Sequence, residues 1–295
     1  MADIAALVAP PRRARLTFPT ALRHALNLSP MVLVHVGALA VFFTANTTTE
    51  WLLLPLLVYL RGMFVTVGYH RYFAHRSFKT GRAVQFVLAC LCCATLQQGP
   101  LWWAVYHRRH HRHVDGPGDP HSPHAGGFWW AYCGWMFIPL DPDWQTVSDL
   151  RRYPELVWLE RLWQLPGLLL AGLCWWLGGW SCLCVDFCLS AAVAFQMSFA
   201  VNTLSHLVGS RRYPAGGESR NSFLLALLTQ GEGWHNNHHH YPHAAQYGFF
   251  WWEVDGGFRV IRVLERLGLV WGVRRVPAHK LRPPRTVTLA YRPAE

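Results

Sequence analysis

Long apolar stretches alternate with short polar connectors along the chain, and this pattern predicts helices that cross a membrane. Residues 29–43 and 51–69 are two apolar runs, and residues 162–176 and 180–201 form a second pair, joined by a connector that contains two glycines. A hydrocarbon core of ~30 Å takes roughly 20 helical residues. The second and fourth runs are therefore long enough, and the first and third are long enough if their ends extend. We expect four transmembrane helices. The alternative is two buried helical hairpins of a soluble protein, for which apolar runs of this length are unusual.

The charged residues indicate which side of the membrane each segment faces. Arg61 and Asp186 lie within the predicted spans, where charge is costly, so each should face protein or lie near an interface. The connectors at 46–50 and 178–181 contain no Lys or Arg, whereas the N-terminal arm and the segments after the second and fourth runs are rich in Arg. The positive-inside rule then places both termini and the central segment in the cytoplasm. The net charge of +11 is explained by topology, and we expect no nucleic-acid partner.

The apolar segment 83–98 decides whether the histidine groups can meet. It has only 16 residues and ends in Gln97 and Gln98, so a re-entrant, interfacial or cap helix fits it better than a span. The candidate metal-binding residues fall into four groups, at 70–75, 107–111, 202–206 and 235–239. If segment 83–98 does not cross the membrane, even numbers of crossings separate successive groups, and all four groups lie on the cytoplasmic face. Seven of the eight cysteines lie in apolar stretches, and Cys133 lies apart from them. We expect them to be reduced packing residues and not a zinc or redox motif.

Nine of the 17 histidines have spacings that suit metal binding. Residues at i, i+3 and i+4 share one face of a helix. Two histidine triplets, at 107–111 and at 235–239, have this spacing, and Asn202 and His206 are four residues apart. His70 and His75 are five apart, roughly 140° around an ideal helix, so the helix is expected to end near His70. Imidazole is the commonest metal ligand in proteins, and nine exceed what one ion accepts, so two metals are predicted. The nine are His70, His75, His107, His110, His111, His206, His235, His238 and His239.

The remaining histidines and the acidic residues have supporting roles at most. No metal role is expected for His24, His35 and His279. The roles of five further histidines stay open. They could donate hydrogen bonds to the metal ligands, lie at the surface or bind metal themselves, and a ligand role is the least expected: His113, His121, His124, His240 and His243. Carboxylates are absent from the histidine spacings, but some could orient imidazoles by accepting their second N–H: Asp115, Asp119, Glu218, Glu232 and Asp255.

Three short motifs carry a family resemblance. HRYFAH at 70–75, HRRHH at 107–111 and HNNHH at 235–239 resemble the histidine boxes of the membrane fatty acyl desaturases. These spacings are shared with alkane hydroxylases and carotenoid oxygenases. The surrounding GEGWHNNHH, VNTLSH, SRN and DPHSP are more specific and resemble the acyl-CoA delta-9, stearoyl-CoA type branch, including its bacterial members. The resemblance runs from about residue 28 to residue 276.

The resemblance implies a fold and a cofactor. The fold would be an all-α integral membrane protein, with four transmembrane helices under a cytosolic helical cap. Residues 1–276 would form one desaturase domain, and the basic, Pro-containing tail 277–295 is expected to be disordered. The nine histidines would bind two iron ions (Fe2+/Fe3+), and Asn202 would hold a metal-bound water. Trp103 would lie near the acyl-chain path, and Arg108 would contact the substrate headgroup.

The resemblance also implies an activity, with dioxygen as co-substrate. A cis double bond, of delta-9 type, would be introduced into a saturated acyl chain carried by CoA, or alternatively by acyl carrier protein or a membrane lipid. The chain has no His-Pro-Gly-Gly heme signature, so electrons are expected from an external ferredoxin or cytochrome b5 with its reductase. A hydroxylase or acetylenase could use the same site. A divalent-metal transporter would need ionisable residues along the spans, which offer only Arg61 and Asp186, and a heme-binding electron carrier is expected still less.

Overall fold

The computed structural model describes residues 17–282, and this part of the chain is mostly helical. Long helices α1, α2, α9 and α10 run beside one another, and shorter elements cover one of their ends. The helices are α1 (Phe18–Leu39), α2 (Thr48–Met63), α3 (Arg82–Cys93), α4 (Pro100–His113), α5 (Pro123–Gly126), α6 (Phe128–Tyr132), α7 (Ser148–Arg151), α8 (Pro154–Arg161), α9 (Leu165–Cys182), α10 (Ser190–Leu207), α11 (Phe223–Leu228), α12 (His235–His240) and α13 (Gly256–Arg266).

Two of the long helices are extended by wider or tighter turns. A 3₁₀ turn, Ala40–Phe43, prolongs α1, and an 11-residue π-helix, Phe64–Ala74, prolongs α2. A second π-helix, Leu183–Leu189, joins α9 to α10. Helix α2 begins with a capping box, in which the Thr47 side chain accepts from the backbone of Glu50 and the Glu50 side chain accepts from the backbone of Thr47.

Three described stretches are long and apolar enough to cross a membrane: Phe18–Phe43, Thr48–Ala74 and Leu165–Leu207. Many of their apolar side chains point outward, including Leu52 at 74% and Trp176 at 75% exposed, which is the expected surface for contact with lipid. The third stretch has 43 residues, more than one crossing needs. The prediction of membrane-spanning helices is therefore confirmed in this coarser form, and the number of four crossings stays a prediction.

The third stretch is folded back on itself. Its helix is interrupted at Gly178 and Gly179, where the backbone leaves helical geometry and Gly179 takes a φ of 63°, a conformation that glycine adopts without strain. Near the start of this stretch Trp163 donates to Asn27 of α1 (3.4 Å), and beyond the break Ser181 donates to Glu50 of α2 (2.6 Å). The two halves therefore run in opposite directions, as the glycine connector predicts.

The intervening apolar segment does not qualify as a span. It forms α3, a helix of 12 residues that packs against the Phe64–Ala74 π-helix, α8 and α9. The buried Arg61 faces protein as expected, because its guanidinium donates to Ser190 (2.9 Å) and to the carbonyl of Ala94 (2.7 Å). All eight cysteines are free thiols.

The remaining elements form the cover over one end of the long helices. A two-stranded antiparallel sheet, β1 (Lys79–Thr80) with β2 (Val270–Trp271), ties the segment after α13 to the chain that follows the first π-helix. The tail that was expected to be disordered begins with a 3₁₀ turn, Ala278–Lys280, and its neighbour Leu281 accepts a hydrogen bond from Tyr213 (2.8 Å). Residues 283–295 of that tail lie outside the described part of the chain.

Candidate metal centre

The first pair of histidines is positioned by the π-helix Phe64–Ala74. The backbone N–H of His75 donates to the carbonyl of His70 (3.1 Å), five residues earlier, and the two imidazole rings lie 5.0 Å apart. The prediction that the helix ends near His70 is wrong. A π-helix winds more slowly than an α-helix, so residues five apart share a face, and π turns occur frequently at functional sites.

The two histidine triplets lie on the short helices α4 and α12, as their spacing predicts. Glu160 of α8 accepts from the backbone N–H groups of Leu101 (2.8 Å) and Trp102 (3.3 Å), at the otherwise unsatisfied start of α4. Within the triplets, neighbouring histidines diverge. His110 and His111 point to different clusters, and so do His238 and His239.

Five histidines form a first cluster, in which the possible ligand atoms all lie within 4.8 Å of one another. The Nε2 atoms of His70 and His238 are 3.1 Å apart, those of His75 and His107 are 2.8 Å apart, and those of His111 and His238 are 2.9 Å apart. The members are His70, His75, His107, His111 and His238.

Four histidines form a second, fully buried cluster with the same limit of 4.8 Å. The Nε2 atom of His235 lies 3.1 Å from that of His206 and 2.9 Å from that of His239. The Nε2 atoms of His110 and His239 are 3.3 Å apart. Helices α4 and α12 contribute to both clusters, which places the two clusters side by side.

These separations fit a metal ion at the centre of each cluster. Bonds of about 2.0–2.1 Å to imidazole, at octahedral to tetrahedral angles, put ligand nitrogens roughly 2.9–3.4 Å apart. Burial and repulsion between neighbouring imidazoles lower the pKa of six of the cluster histidines well below 6.5, so these rings are neutral, the form that binds metal. Those rings are His75, His107, His111, His235, His238 and His239.

Three carboxylates fix the orientation of three of the imidazoles. The Nδ1–H of His70 donates to Glu232, that of His110 donates to Asp119 (2.9 Å), and that of His206 donates to Asp115 (2.9 Å). An imidazole that donates through Nδ1 presents an unprotonated Nε2, so lone pairs converge at the cluster centres and a cation there satisfies them. Burial alone would raise the pKa of Asp115, but its hydrogen bond from His206 and further bonds lower that pKa to about 2.

The other two candidate carboxylates do not contact the clusters. Glu218 pairs with Arg211 (2.7 Å) at the surface, and Asp255 pairs with the buried Arg71 (2.8 Å). The expectation that Glu218 and Asp255 orient histidines is therefore wrong. Their arginine partners lie far away in the sequence (Arg71) or at the surface (Arg211), and sequence spacing alone does not reveal such pairs.

A buried network of ion pairs contacts the Nδ1 side of His70. The sequence alone did not predict it. Arg71 is fully buried, donates to both Glu232 (3.1 Å) and Asp255, and lies 3.9 Å from the ring centre of Tyr247. Because Glu232 also accepts from His70, the network connects α13 and the loop before α12 to the first cluster. The position of Arg71 directly after a candidate ligand, in HRYFAH, was the only signal.

The asparagines within HNNHH hold helix α12 in place. Asn236 accepts from the backbone N–H groups of Arg212 and Tyr213 (2.8 Å each). Asn237 accepts from the side chain of Asn221 (2.7 Å) and donates to Glu253 (2.8 Å). One face of α12 therefore carries the histidines, and the opposite face carries the amides that anchor the helix.

Of the histidines whose roles were left open, His121 is the one that joins a group of possible ligands within residues 17–282. Its ring stacks on that of His110 (4.5 Å between centres), and its Nδ1 lies 3.9 Å from Asp119. His124 approaches the carbonyl of His206 (3.1 Å), and His240 approaches that of Lys280 (3.2 Å).

A cavity of about 50 Å³, here called the site cavity, adjoins both clusters. It is lined by cluster histidines, by Asn202 and Trp103, and by apolar residues of the first π-helix and of α10 such as Val65 and Ala194. The Trp103 ring is stacked between those of Tyr69 and His107, at 5.4 and 4.9 Å. The walls combine possible metal ligands with a narrow apolar space.

Arg108 lies beside the site but is engaged by the protein. Its five N–H donors reach the carbonyls of Phe73, Ala74 and Thr146 and both carboxylate oxygens of Asp149, at 2.7–3.1 Å. Such saturation favours a structural role, joining α4 to the first π-helix and to α7, over contact with a substrate headgroup.

Comparison with known proteins places this centre in a family. The family model of the fatty acid desaturases matches residues 49–255, a range that contains every histidine of both clusters. The chain belongs to the fatty acid desaturase family. The enzyme class is therefore an oxidoreductase, and the histidine clusters suggest a metal site within it.

Three similar relatives differ in the carrier of the acyl chain. The sn-2 palmitoyl-lipid 9-desaturase of Nostoc sp. is 38% identical over 231 residues, 75% of this chain and 81% of that protein. An acyl-CoA 5-desaturase of Anemone leveillei is 34% identical over 246 residues, 82% of this chain and 76% of that protein. A hex-5-enoyl-[acyl-carrier protein] acetylenase of Moorena producens is 34% identical over 240 residues, 74% of each chain.

Proposed function

We propose that this protein is a di-iron membrane acyl desaturase that introduces a cis double bond, of delta-9 type, into a saturated acyl chain. The observation that carries the proposal is the pair of histidine clusters, one fully buried and one partly buried, beside a narrow apolar cavity. The 9-desaturase of Nostoc supports the position of the double bond. The active site and both termini would lie on the cytoplasmic side, as the arginine distribution favours.

The nine clustered histidines would hold the two irons, and Asn202 would hold a water bound to one of them. Iron supplies the oxidising power that an unactivated methylene requires and that no side chain provides. In the whole reaction two hydrogens leave neighbouring carbons, dioxygen is reduced to two waters, and two electrons and two protons enter. An external ferredoxin or cytochrome b5, with its reductase, would deliver the electrons.

The protein's own contribution is position and exclusion of water. Carboxylates Glu232, Asp119 and Asp115 lock imidazoles in the ligating tautomer, so little rearrangement is needed when metal binds. Trp103 stacks on His107 of the first cluster and lines the cavity beside it, which would help to hold one pair of chain carbons near the metals. Regioselectivity would follow from this fixed placement.

Expression with a ferredoxin and its reductase tests the proposal. New unsaturated fatty acids, with double-bond positions assigned by mass spectrometry, are expected together with two irons per chain by elemental analysis. The variant His107→Ala, which removes a ligand of the first cluster, should lose both iron and product. A lipid profile that stays unchanged in cells whose purified protein carries two irons would refute desaturation.

A second activity on the same site is acetylenation, which the Moorena relative supports by its name. An acetylenase removes two hydrogens from an existing double bond, and a hydroxylase adds one oxygen atom. Product masses from fed saturated and monounsaturated chains therefore separate the three reactions.

A further inference from the structure

Helix α11 presents an apolar face that residues 17–282 leave uncovered. Leu225 and Ala226 are buried, whereas the other side chains of the helix are all more than half exposed. These exposed side chains are Phe223, Leu224, Leu227 and Leu228. Neighbouring large apolar side chains on a surface mark a site of contact with another protein or with a membrane.

The chain that follows α11 contacts α2 at the level of the membrane. The side chain of Gln230 packs on Gly62, where an added Cβ would come within 2.5 Å of it. Gly62 lies near the middle of the apolar stretch Thr48–Ala74. A hydrocarbon core takes roughly 20 helical residues, so a core that begins at Thr48 extends past Gly62. The C-terminal end of α11 therefore lies at the depth of lipid acyl chains.

The exposed face of α11 continues the outward-facing apolar surface of α10. Helix α11 packs against α10, and the backbone N–H of Arg220, just before α11, donates to the carbonyl of Ser205 on α10 (2.6 Å). Leu207 and Val208, where α10 ends, are also exposed. Because α10 belongs to a stretch that is long enough to cross a membrane, lipid that surrounds α10 also reaches α11.

Both ends of α11 are hydrogen-bonded within the chain, as a lipid environment requires. Hydrocarbon contains no water, so free N–H and C=O groups are costly there. At the start, Ser222 accepts from Leu225 through its side chain (3.4 Å) and from Ala226 through its carbonyl (2.9 Å). At the end, the Thr229 hydroxyl donates to the carbonyl of Leu225 (2.5 Å), and the N–H of Gly231 donates to that of Ala226 (2.8 Å).

Two tryptophans lie beside this face. Trp251 is 88% exposed, and its neighbour Trp252 is exposed as well. Their loop adjoins α11, because Trp234 packs on Phe223 (6.3 Å between ring centres) and donates to the carbonyl of Val254 (2.9 Å). Tryptophan is enriched at the membrane–water interface, so this pair indicates the level at which the cover over the long helices leaves the lipid.

The segment directly after α11 carries part of the metal centre. Thr229 and Gln230 line the site cavity, and Glu232 accepts from His70. Helix α12 then supplies histidines to both clusters. The position of α11 therefore controls how this segment meets the ends of the long helices.

We propose that α11 inserts its apolar face among the acyl chains of the leaflet beside the histidine clusters, and that this insertion holds the segment 229–239 in place. Helix α11 is then a membrane anchor that does not span the bilayer. The occupant of the face is bulk membrane lipid and not a bound substrate, so this inference goes beyond the proposed activity. A second copy of the chain and the tail 283–295 are the other occupants that the test distinguishes.

Site-specific photo-crosslinking identifies what contacts α11 without requiring activity. The full chain, with p-benzoylphenylalanine in place of Leu224, is illuminated in nanodiscs of phosphatidylethanolamine and phosphatidylglycerol with radiolabelled acyl chains. Leu52, on the outward face of α2, is the lipid-exposed control. Gly216, where an added side chain meets nothing within 4 Å, is the control in the cover.

Leu224 should incorporate labelled lipid as strongly as Leu52 does, and Gly216 should incorporate little. A covalent dimer of the chain would assign the face to a second copy, and an adduct with a peptide from 283–295 would assign it to the tail. Either adduct in place of lipid, or labelling no stronger than at Gly216, would overturn the proposal.

Hydrogen exchange in the same nanodiscs tests the anchoring role. Charge at this depth disfavours insertion, so in the double variant Leu224→Asp/Leu227→Asp the backbone amides of residues 229–239 should exchange faster, while those of α1 keep their rate. The matched Leu224→Met/Leu227→Met keeps apolar side chains of similar volume and should exchange like the unsubstituted chain. Unchanged exchange in the aspartate variant would overturn the anchoring role. If exchange rises in α1 as well, that variant is unfolded, and the crosslinking result decides.

Discussion

At the scale of single residues, carboxylates outside the histidine spacings decide how the imidazoles are presented. Asp115, Asp119 and Glu232 each accept an Nδ1–H and so leave Nε2 free to bind metal. All three are candidates from the sequence, but so are Glu218 and Asp255, because proximity along the chain does not show which partner a carboxylate meets. Their true partners, Arg211 and Arg71, become visible only in three dimensions.

The Asp115–His206 pair is open to a direct test. In Asp115→Asn the acceptor loses its charge, and the His206 ring is held less firmly, so metal affinity should fall by roughly 10- to 100-fold. Metal content measured against increasing chelator concentration checks this. The matched control Glu218→Gln removes a nearby carboxylate that pairs with Arg211 and should retain its metal. Equal retention by both variants would remove Asp115 from its positioning role.

Glu160 predicts a pH dependence of stability. Burial raises its pKa from 4.5 to about 8, so between these values the folded state binds more protons than the unfolded state, and stability falls as pH rises. The melting temperature of the unsubstituted protein minus that of Glu160→Gln, measured in detergent, should therefore fall from pH 5 to pH 8. The buried histidines, which act in the opposite sense, cancel in this difference. Glu155→Gln is the control, because its exposed carboxylate pairs with Arg82 and has its pKa lowered to about 2, outside this range. An unchanged slope in Glu160→Gln would contradict the assignment.

At the scale of elements, the sequence predicted which histidines share a helix but not how the helices divide them. The spacing of α4 and α12 was sufficient to place each triplet on one face. The split into clusters of five and four depends on how these helices cross, which is a property of packing. The π-helix was missed because the choice between hydrogen bonds four and five residues apart is made by tertiary contacts, here around the buried Arg71.

Helix α12 supplies ligands to both clusters and is anchored by Asn237. Truncation in Asn237→Ala would remove the acceptor of the buried Asn221 side-chain amide and one of the donors to Glu253, at a cost of about 1–3 kcal/mol. We expect a lower melting temperature and loss of metal from both clusters together, measured by elemental analysis. His240→Ala, on the same helix but outside both clusters, should keep its metal. Loss from one cluster alone would show that α12 is held by other contacts.

At the scale of the whole molecule, the long helices are arranged in pairs, and each pair brings the chain back to the end of the molecule that holds the histidine clusters. The connector around Asn46 meets the one at Ser181 (3.2 Å), and the histidine clusters lie where the helices next emerge. This arrangement predicts that the connectors and the cap lie on opposite sides of a membrane. Ala45→Cys should react with an impermeant maleimide in intact cells, and Gly216→Cys only after permeabilisation. The unsubstituted protein gives the background of its native thiols, and labelling of both positions from outside would contradict a shared cytoplasmic centre.

The far end of the site cavity should set the length of acyl chain that the protein accepts. Ala194 of α10 is 2% exposed and lines this end together with Gly62 of α2 and Val65 of the π-helix that follows α2, so a larger side chain there occupies space that the end of the acyl chain would use. Ala194→Leu should shift the products of the co-expression assay toward shorter chains, with a packing cost of about 1–3 kcal/mol. Val193→Leu, next on the same helix but not in the cavity wall, should keep the original distribution. Since a merely destabilised protein would lose all products in proportion, a proportional loss without a change in chain length would show that the chain ends elsewhere.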